Sequence, residues 1–410
     1  MLAETEKDIF SGLPAFARPC VVVHYHEVGL KGKNRSGFEN QLRRNILRAL
    51  SDTTVGSVQR FFGRLVVFFP KEIDWPAVRA RLKTVFGVAN FSPAIFTEQN
   101  EEEITAAALS LMKERKYDSF RVTTKRGQKE FPINSQEMNI RVGSAVQKMS
   151  GARVDLTNPE VTCYIEIFNK NALVYAEKIP GAGGLPSGVS EKAVVLLSSG
   201  IDSPVAAWKM MKRGVRVVFA HFHSVPATSE ASIRKTERIV QELTRYQFKS
   251  RLYLVPVLEI QNEIRVEAPE ELRLLLFRRI MMKLAEKLAG YEKATALITG
   301  ESVGQVASQT LSNIHAISAG IELPVLRPLV GDDKIEIIEV AQKISTFDIS
   351  IEPHEDCCTL FVPEHPETRA RAQKLREIEA HLNLEPLISE AIKKTVVKKF
   401  QHPLPAPVKK

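Results

Sequence analysis

The stretch LLSSGIDSPVAAW (196–208) decides how the rest of the chain is read. It continues an apolar, β-branched run that starts at Ala193 and leads into residues with helical spacing. Between the two lie small, turn-forming residues and then Asp202. A strand that hands over to a helix in this way leaves backbone N–H groups unpaired at the helix start, and such a turn cradles phosphate. Ser203 is expected to cap the helix, and Pro204 suits its first turn, where the missing N–H would be an orphan anyway. No Gly-Lys-Ser/Thr follows, so the loop is not a Walker A motif. Taken alone, it also reads as an ordinary strand-to-helix turn.

Working outward, apolar strands near 193–197, 216–222, 251–257 and 294–299 alternate with helical patterns. That rhythm predicts an α/β fold with a doubly wound parallel sheet, and it puts the loop at the carboxyl end of the first strand, where ligands bind. PGAGGLPSG (180–188) reads as a linker in front of it. Two small α+β units are expected before the linker. Their strands fall at 19–28, 58–69 (broken at Gly63-Arg64), 120 onward, 161–168 and 172–179. Their helices fall at Ser36 onward, 74–86, 104–114 and 135–149. The expected division is 1–72, 73–182 and 183–390, followed by a basic, mobile tail at 391–410 that is rich in lysine and proline.

At 410 residues the chain has room for two or three cores. Lys and Arg number 57 against 48 Asp and Glu, and the net charge of +9 is compatible with a nucleic-acid partner without proving one. Four cysteines do not suggest a disulfide framework, which favours a reducing cytoplasm. MLAETEKDIF (1–10) lacks the order of a secretory signal and no 18-residue apolar run occurs, so a cytoplasmic chain without a membrane span is expected.

Ser198-Ser199-Gly200-Ile201-Asp202-Ser203 resembles the SGGxDS loop of the PP-loop ATP pyrophosphatases, with Ser199 where the pattern has its first glycine. Serine meets a steric cost at positive φ that glycine does not. Three later stretches narrow the resemblance: ITGESVGQVASQTLSNI (298–314), RPLVGDDKIEII (327–338) and EDCCTLFVPEHP (355–366). Together they look like the tRNA 4-thiouridine synthetases, also known as thiamine-biosynthesis sulfurtransferases. EVGLKGKNRSGF (27–38) resembles that family's ferredoxin-like domain, and TTKRGQKEFPINSQEMN (123–139) with VDLTNPEV (154–161) resembles its THUMP domain. The likeness covers nearly the whole chain in the family's order.

The resemblance implies an enzyme that adenylates C4 of a tRNA uridine, usually at position 8, and replaces the oxygen with sulfur from a cysteine persulfide. It places ATP at Leu196, Leu197, Ser198, Ser199, Gly200 and Ser203, with His221, Phe222, Arg278, Gly300 and Gln309 as further nucleotide contacts. Asp202 and Lys334 match its adenylation residues, with Asp202 helping to hold Mg2+. Cys357, through EDC and its spacing from Lys334, matches the sulfur-transfer cysteine, and a positive charge such as Lys334 nearby would lower its pKa. Cys358 is read as assisting, although a bridge between neighbours would be strained. About 50 residues follow Cys358, so a rhodanese-like domain is not expected and the sulfur would come from a separate cysteine desulfurase. The other implied partners are tRNA, a thiamine sulfur carrier protein and a second copy of the chain.

Each residue has a plainer reading by itself. His221 is then a core histidine, Lys334 a solvated helix-start charge, Arg278 part of a polar helix face, and either cysteine a buried structural one. The basic loops KGKNR (31–35) and KRGQK (125–129) would grip RNA phosphates or simply be solvated. An iron–sulfur cluster is not expected, since no CxxC occurs and Cys20 and Cys163 lie in the front units. Two other functions stay open: another adenylating PP-loop enzyme, either a different thiolase or an amidating ligase, the latter needing no sulfur-carrying cysteine, and an RNA-binding protein whose altered loop no longer turns over ATP.

Overall fold

The computed structural model describes residues 16–403 except 62, 71–72, 128–130, 169, 354–356 and 362. The chain divides into two compact units between Pro186 and Ser187.

The first unit is built on one sheet with the strands β1 (Arg18–His24), β2 (Ser57–Phe61), β3 (Arg64–Phe68), β4 (Asn90–Glu98), β5 (Ser119–Arg126), β6 (Arg153–Val154), β7 (Val161–Phe168), β8 (Asn171–Tyr175) and β9 (Ile179–Pro180). Their order is β2-β3-β1-β4-β8-β7-β5-β6, with β9 also on β4. The helices are α1 (Arg35–Ala49), α2 (Trp75–Lys83), α3 (Glu101–Lys113) and α4 (Ser135–Ser150). Asp74 caps α2 and Asn134 caps α4 through their side chains, as their residue types favour. Because β4 pairs with both β1 and β8, the two expected front units share one continuous sheet. Strand alternation separates its faces. Ile95, Cys163, Ile165 and Val174 pack with α3 and α4, whereas Cys20, Val22, Phe68, Ala94 and Tyr175 pack on the other side. The expected linker is pinned at its start: Gly181 N–H bonds Ala89 O and Gly183 N–H bonds Val88 O. A side chain at Gly181 would lie 2.4 Å from Val88 O, so the close approach requires glycine.

The second unit has the expected α/β architecture. Its elements run β10 (Lys192–Leu196), α5 (Asp202–Lys212), β11 (Arg216–His223), α6 (Ala231–Gln247), β12 (Lys249–Pro256), α7 (Leu258–Glu267), α8 (Glu270–Glu292), β13 (Ala296–Ile298), α9 (Leu311–Ser318), β14 (Val325–Leu326), α10 (Lys334–Lys343), α11 (Phe347–Ser350), α12 (Ala372–His381), α13 (Leu384–Lys393) and β15 (Val396–Gln401). The sheet order is β14-β13-β10-β11-β12-β15. All pairs are parallel except β12–β15. Helix α8 carries Leu272, Leu276, Phe277, Ile280, Leu284 and Leu288 into the core beside Val194, Ala220 and Phe222, with each such side chain contributing about 1.5–3 kcal/mol. The chain moves from β10 through β11 to β12 and then returns to the far side of β10 as β13. The sheet's switch point therefore lies at the carboxyl ends of β10 and β13.

One expectation is corrected here. The tail predicted to be mobile from residue 391 instead completes α13 and adds β15 antiparallel to β12, with Val396 opposite Leu254 and Lys398 opposite Leu252. Its lysines mark a charged edge strand, the usual protection of a sheet edge. Lys398 pairs with Glu237 of α6. Residues 404–410 lie outside the described residues.

Candidate active site

At the switch point the ends of three strands and the face of α8 enclose a cavity of ≈ 250 Å³. It is lined by Leu196, Leu197, Ser198, Asp202 and Ser203 from the loop after β10, by His221 and Phe222 of β11, and by Thr299, Gly300 and Glu301 after β13. Leu274, Arg278, Met281 and Met282 reach it from α8, Ser308, Gln309 and Ile317 from the region of α9, and Cys357 and Cys358 from a short 3-10 turn (Cys357–Phe361). Twelve of the residues singled out in the sequence thus meet in one place. Ser199, Gly200 and Lys334 do not line it.

The loop closes on itself through Ser203. Its hydroxyl accepts from Ser198 N–H at 2.9 Å and lies 3.0 Å from the Ser198 hydroxyl, which accepts from Gly200 N–H at 3.3 Å. Ser203 is therefore not the helix cap it was expected to be. It sits inside the first turn of α5, and the capping position, Ile201, offers no side-chain bond. The first N–H groups of α5 keep their capacity for an anion. Ser199 is fully buried, its hydroxyl makes no hydrogen bond to the described residues, and it is not among the residues with positive φ. The departure from glycine consequently carries no backbone strain. Gly300 is different: a Cβ there would lie 2.7 Å from Ser203 N and 2.8 Å from its Cα. Only glycine lets the turn after β13 approach α5 this closely.

Charge in the site is compensated in two groups. Glu301, 3 % exposed, accepts from Arg278 at 2.6 Å, from Arg327 at 2.7 Å and from Thr299 at 2.9 Å. Arg278 also donates to the Ser308 hydroxyl at 2.9 Å. Asp202 accepts from Lys334 Nζ at 2.6 Å on one oxygen and from Gln305 Nε2 at 2.9 Å on the other. Lys334 stands at the first position of α10, where Asp333 and Glu336 form a capping box, and it borders a neighbouring cavity with Gln305. Its ammonium is thus tied to Asp202, and the cation sharing the cavity with Cys357 is Arg278. His221 is buried with Nδ1 3.0 Å from Leu197 O, which puts a proton on that nitrogen. Gln309 accepts from Ser302 N–H at 3.1 Å and so braces the turn after β13.

Cys357 is 4 % exposed and Cys358 is half-buried; none of the four cysteines is in a disulfide. Glu355 and Asp356 of the EDC motif lie outside the described residues. Burial pushes the Cys163 thiol up to about 12 and the Cys20 thiol higher still, so neither provides thiolate at neutral pH. Among the described residues no group of three or more His, Cys, Asp and Glu side chains is arranged to hold a metal. No described helix is long and apolar enough to cross a membrane. In the first unit the two basic loops are only partly available: Arg35 is tied to Glu39 and Tyr25, and Arg126 donates to Phe131 O and Ile133 O. Lys33 and Lys125 are exposed, whereas residues 128–129 lie outside the described residues.

Sequence reasoning missed Glu301, which follows Gly300 at a strand end, and the α8 residues Leu274, Met281 and Met282, whose helical spacing puts them on one face with the expected Arg278. It also missed Gln305, inside the quoted stretch 298–314 but given no role there, and Gln261, which belongs to no motif.

A family model described as Thiamine biosynthesis protein (ThiI) matches residues 188–384, a ThiI ferredoxin-like domain model matches 20–92, and a THUMP domain model matches 98–177. A probable tRNA sulfurtransferase of Thermoanaerobacter sp. (strain X514) is 47% identical over 369 residues, covering 90% of this chain and 96% of that protein. The probable tRNA sulfurtransferase of Thermus thermophilus is 44% identical over 379 residues, covering 92% of this chain and 93% of its own length. A crystal structure of a 4-thiouridine synthetase–RNA complex with bound ATP superimposes with a TM-score of 0.86 at 36% identity, covering 93% of this chain and 99% of that one. With the loop, the switch-point cavity and this similarity over nine-tenths of its length, the chain belongs to the ThiI family of tRNA sulfurtransferases.

Proposed function

We propose that this chain converts a tRNA uridine to 4-thiouridine by adenylating O4 with ATP and supplying sulfur from a persulfide on Cys357. The observation that carries the proposal is the meeting, on one cavity, of a phosphate-type loop, an anchored arginine and two thiols. Similarity to an ATP-bound 4-thiouridine synthetase–RNA complex supports it.

A uridine oxygen is a poor leaving group, and phosphorylation makes it a good one. In the first step O4 bonds to the α-phosphorus, the bond to pyrophosphate breaks, and the N3 proton passes to solvent. The N–H groups of α5 receive phosphate oxygens, and Lys334 neutralises the charge that builds on them. Asp202 suits Mg2+, which takes one or two protein carboxylates and completes its shell with phosphate oxygens. When bound, the ion supplies charge neutralisation. Gly300 and Ser203 hold the loop in place for this step.

In the second step the terminal sulfur of the Cys357 persulfide attacks C4 and AMP leaves with the C4–O electron pair. The product remains joined to Cys357 through a disulfide. The Cys358 thiolate attacks Cys357 Sγ, 4-thiouridine leaves as its thiolate, and an external thiol reduces the resulting Cys357–Cys358 bridge. A cysteine desulfurase regenerates the persulfide, taking its sulfur from free cysteine. Exposed cations of the first unit, Lys33 and Lys125 among them, hold the tRNA through its phosphates. A cytoplasmic location follows from the tRNA substrate.

The test is pyrophosphate release from ATP with and without unmodified tRNA, followed by nucleoside mass analysis after adding desulfurase and cysteine. Release should depend on tRNA, and 4-thiouridine should accumulate. Pyrophosphate release indifferent to tRNA, or no thionucleoside, would sink the proposal.

A further inference from the structure

Gln261 on α7 is 2 % exposed, an uncommon place for a primary amide. Its Nε2 donates to the backbone oxygen of Cys357 at 2.8 Å. Its Oε1 accepts from the hydroxyl of Ser224, which is fully buried. Chemistry fixes this orientation: a carbonyl only accepts, so the amide NH2 must face Cys357 and the amide oxygen must face Ser224, which becomes the donor. Ser224 follows directly on β11, two residues beyond Phe222 of the cavity wall. Two hydrogen bonds therefore run from the end of a nucleotide-site strand to the peptide of the sulfur-carrying cysteine.

The other end of the same segment is held as well. The Ser350 hydroxyl donates to Gly200 O at 3.2 Å, within the loop after β10. Lys235, 3 % exposed, donates to Ser350 O at 3.0 Å and to Glu352 O at 2.6 Å. Ser350 and Glu352 are thus tied to the loop after β10 and to α6, and Cys357 is tied to β11 through Gln261. Of these ties, the one from Gln261 falls on Cys357 itself.

We infer that Gln261 is a positioning residue that aims the Cys357 thiol into the nucleotide cavity, with Ser224 setting its amide; this rests on the thiolation chemistry proposed above. Attack on C4 demands a sulfur within near-attack distance of a carbon whose place is set by the bound nucleotide. A displacement of about 1 Å costs up to roughly a hundredfold in such a step. Adenylation uses neither Gln261 nor Cys357.

The experiment compares Gln261→Met (similar length, no donor), Ser224→Ala and the double variant with the wild type, each on the full chain. Pyrophosphate release on unmodified tRNA should stay within about twofold of wild type, while single-turnover 4-thiouridine formation from persulfide-loaded enzyme falls roughly tenfold or more in Gln261→Met. Ser224→Ala should act in the same direction with a smaller loss, and it should add nothing in the Gln261→Met background, because both act through one amide. A parallel fall in both reactions would make Gln261 a general support of the fold and overturn the inference. So would sulfur transfer at the wild-type rate in Gln261→Met, or full additivity of the two substitutions. Should Gln261→Met fail to fold, a Ser224→Ala variant with undiminished sulfur transfer would overturn it too. If wild type itself forms no 4-thiouridine, the proposed function falls first, and this inference with it.

Discussion

Replacing Gly300 by alanine asks whether the turn after β13 sets the nucleotide loop. The added Cβ would lie 2.7 Å from Ser203 N, whereas ordinary contact begins near 3.4 Å, so one of the two segments must move by about 0.7 Å (3.4 minus 2.7). The obstacle is backbone of the first turn of α5, which cannot swing aside like a long side chain. Overpacking of this kind costs roughly 1–3 kcal/mol, equivalent to a melting-temperature loss of a few degrees in a unit of this size. The functional cost should be larger in proportion. A shift approaching an ångström in groups proposed to hold the reacting phosphate predicts a drop of roughly tenfold or more in tRNA-dependent pyrophosphate release. Gly290 supplies the control. It lies inside α8, a Cβ there meets nothing within 4 Å, and Gly290→Ala should stabilise by about 0.5–1 kcal/mol and leave the rate unchanged. Thermal unfolding and pyrophosphate release on both variants decide the matter. A Gly300→Ala enzyme with the wild-type rate would refute the argument that this close approach positions the loop.

Asp202→Asn and Lys334→Ala should each abolish pyrophosphate release and leave tRNA affinity intact; a variant that still adenylates at the wild-type rate removes that residue from the mechanism. Cys357→Ser should keep pyrophosphate release and lose 4-thiouridine formation, and peptide mass analysis after desulfurase treatment should find the extra sulfur on the Cys357 peptide. Sulfur on Cys20 or Cys163 instead would contradict the high thiol pKa that burial gives both. Glu292 supplies a pH prediction: burial raises its pKa, but hydrogen bonds from Tyr253, Arg251 and Lys192 outweigh it and hold the carboxyl down to about 2. A depressed carboxyl stabilises fully above its unfolded value near 4.5 and loses that contribution as pH falls toward 2. The melting-temperature gap between wild type and Glu292→Gln should therefore be flat from pH 7 to 5 and narrow below 4.5, and a gap that widens on acidification would contradict the pairing.

How legible these features were depends on where their causes lie in the chain. The strands β10 to β13 are short β-branched or apolar runs bounded by turn residues, so local pattern alone locates them. The loop after β10 announces itself because small polar residues rarely follow a buried strand. β4 went unread because NFSPAIFTE contains a proline and buried polar residues on both faces, Ser92 on one and Thr97 on the other. β15 looked like a solvated tail because its lysines suit an edge and a disordered segment equally well. The cap assignment at Ser203 failed because its hydroxyl turns back to Ser198 instead of forward along α5. Gln261 and Gln305 were invisible for another reason. Their partners, Cys357 and Asp202, lie 96 and 103 residues away, and no local rule pairs residues across such a gap.

In the proposed function the two charged groups at the cavity would divide the work of holding a triphosphate. Glu301 is buried and shared by two guanidinium groups, Arg278 and Arg327, so this cluster carries one net positive charge in a fixed frame. An anion entering the cavity meets that charge already placed, at no cost of reorganisation. Lys334 is the opposite case. Its side chain is 43 % exposed, its charge is cancelled by Asp202, and a flexible stem lets it turn toward a new partner. The incoming phosphates supply such a partner, and a metal ion would compete for the same Asp202 oxygens. Under the proposed mechanism both exchanges would release Lys334 from Asp202 as its charge is needed. In the proposed reaction the fixed cluster would therefore set where the nucleotide sits, and the exposed pair would set when the site is ready to transfer AMP.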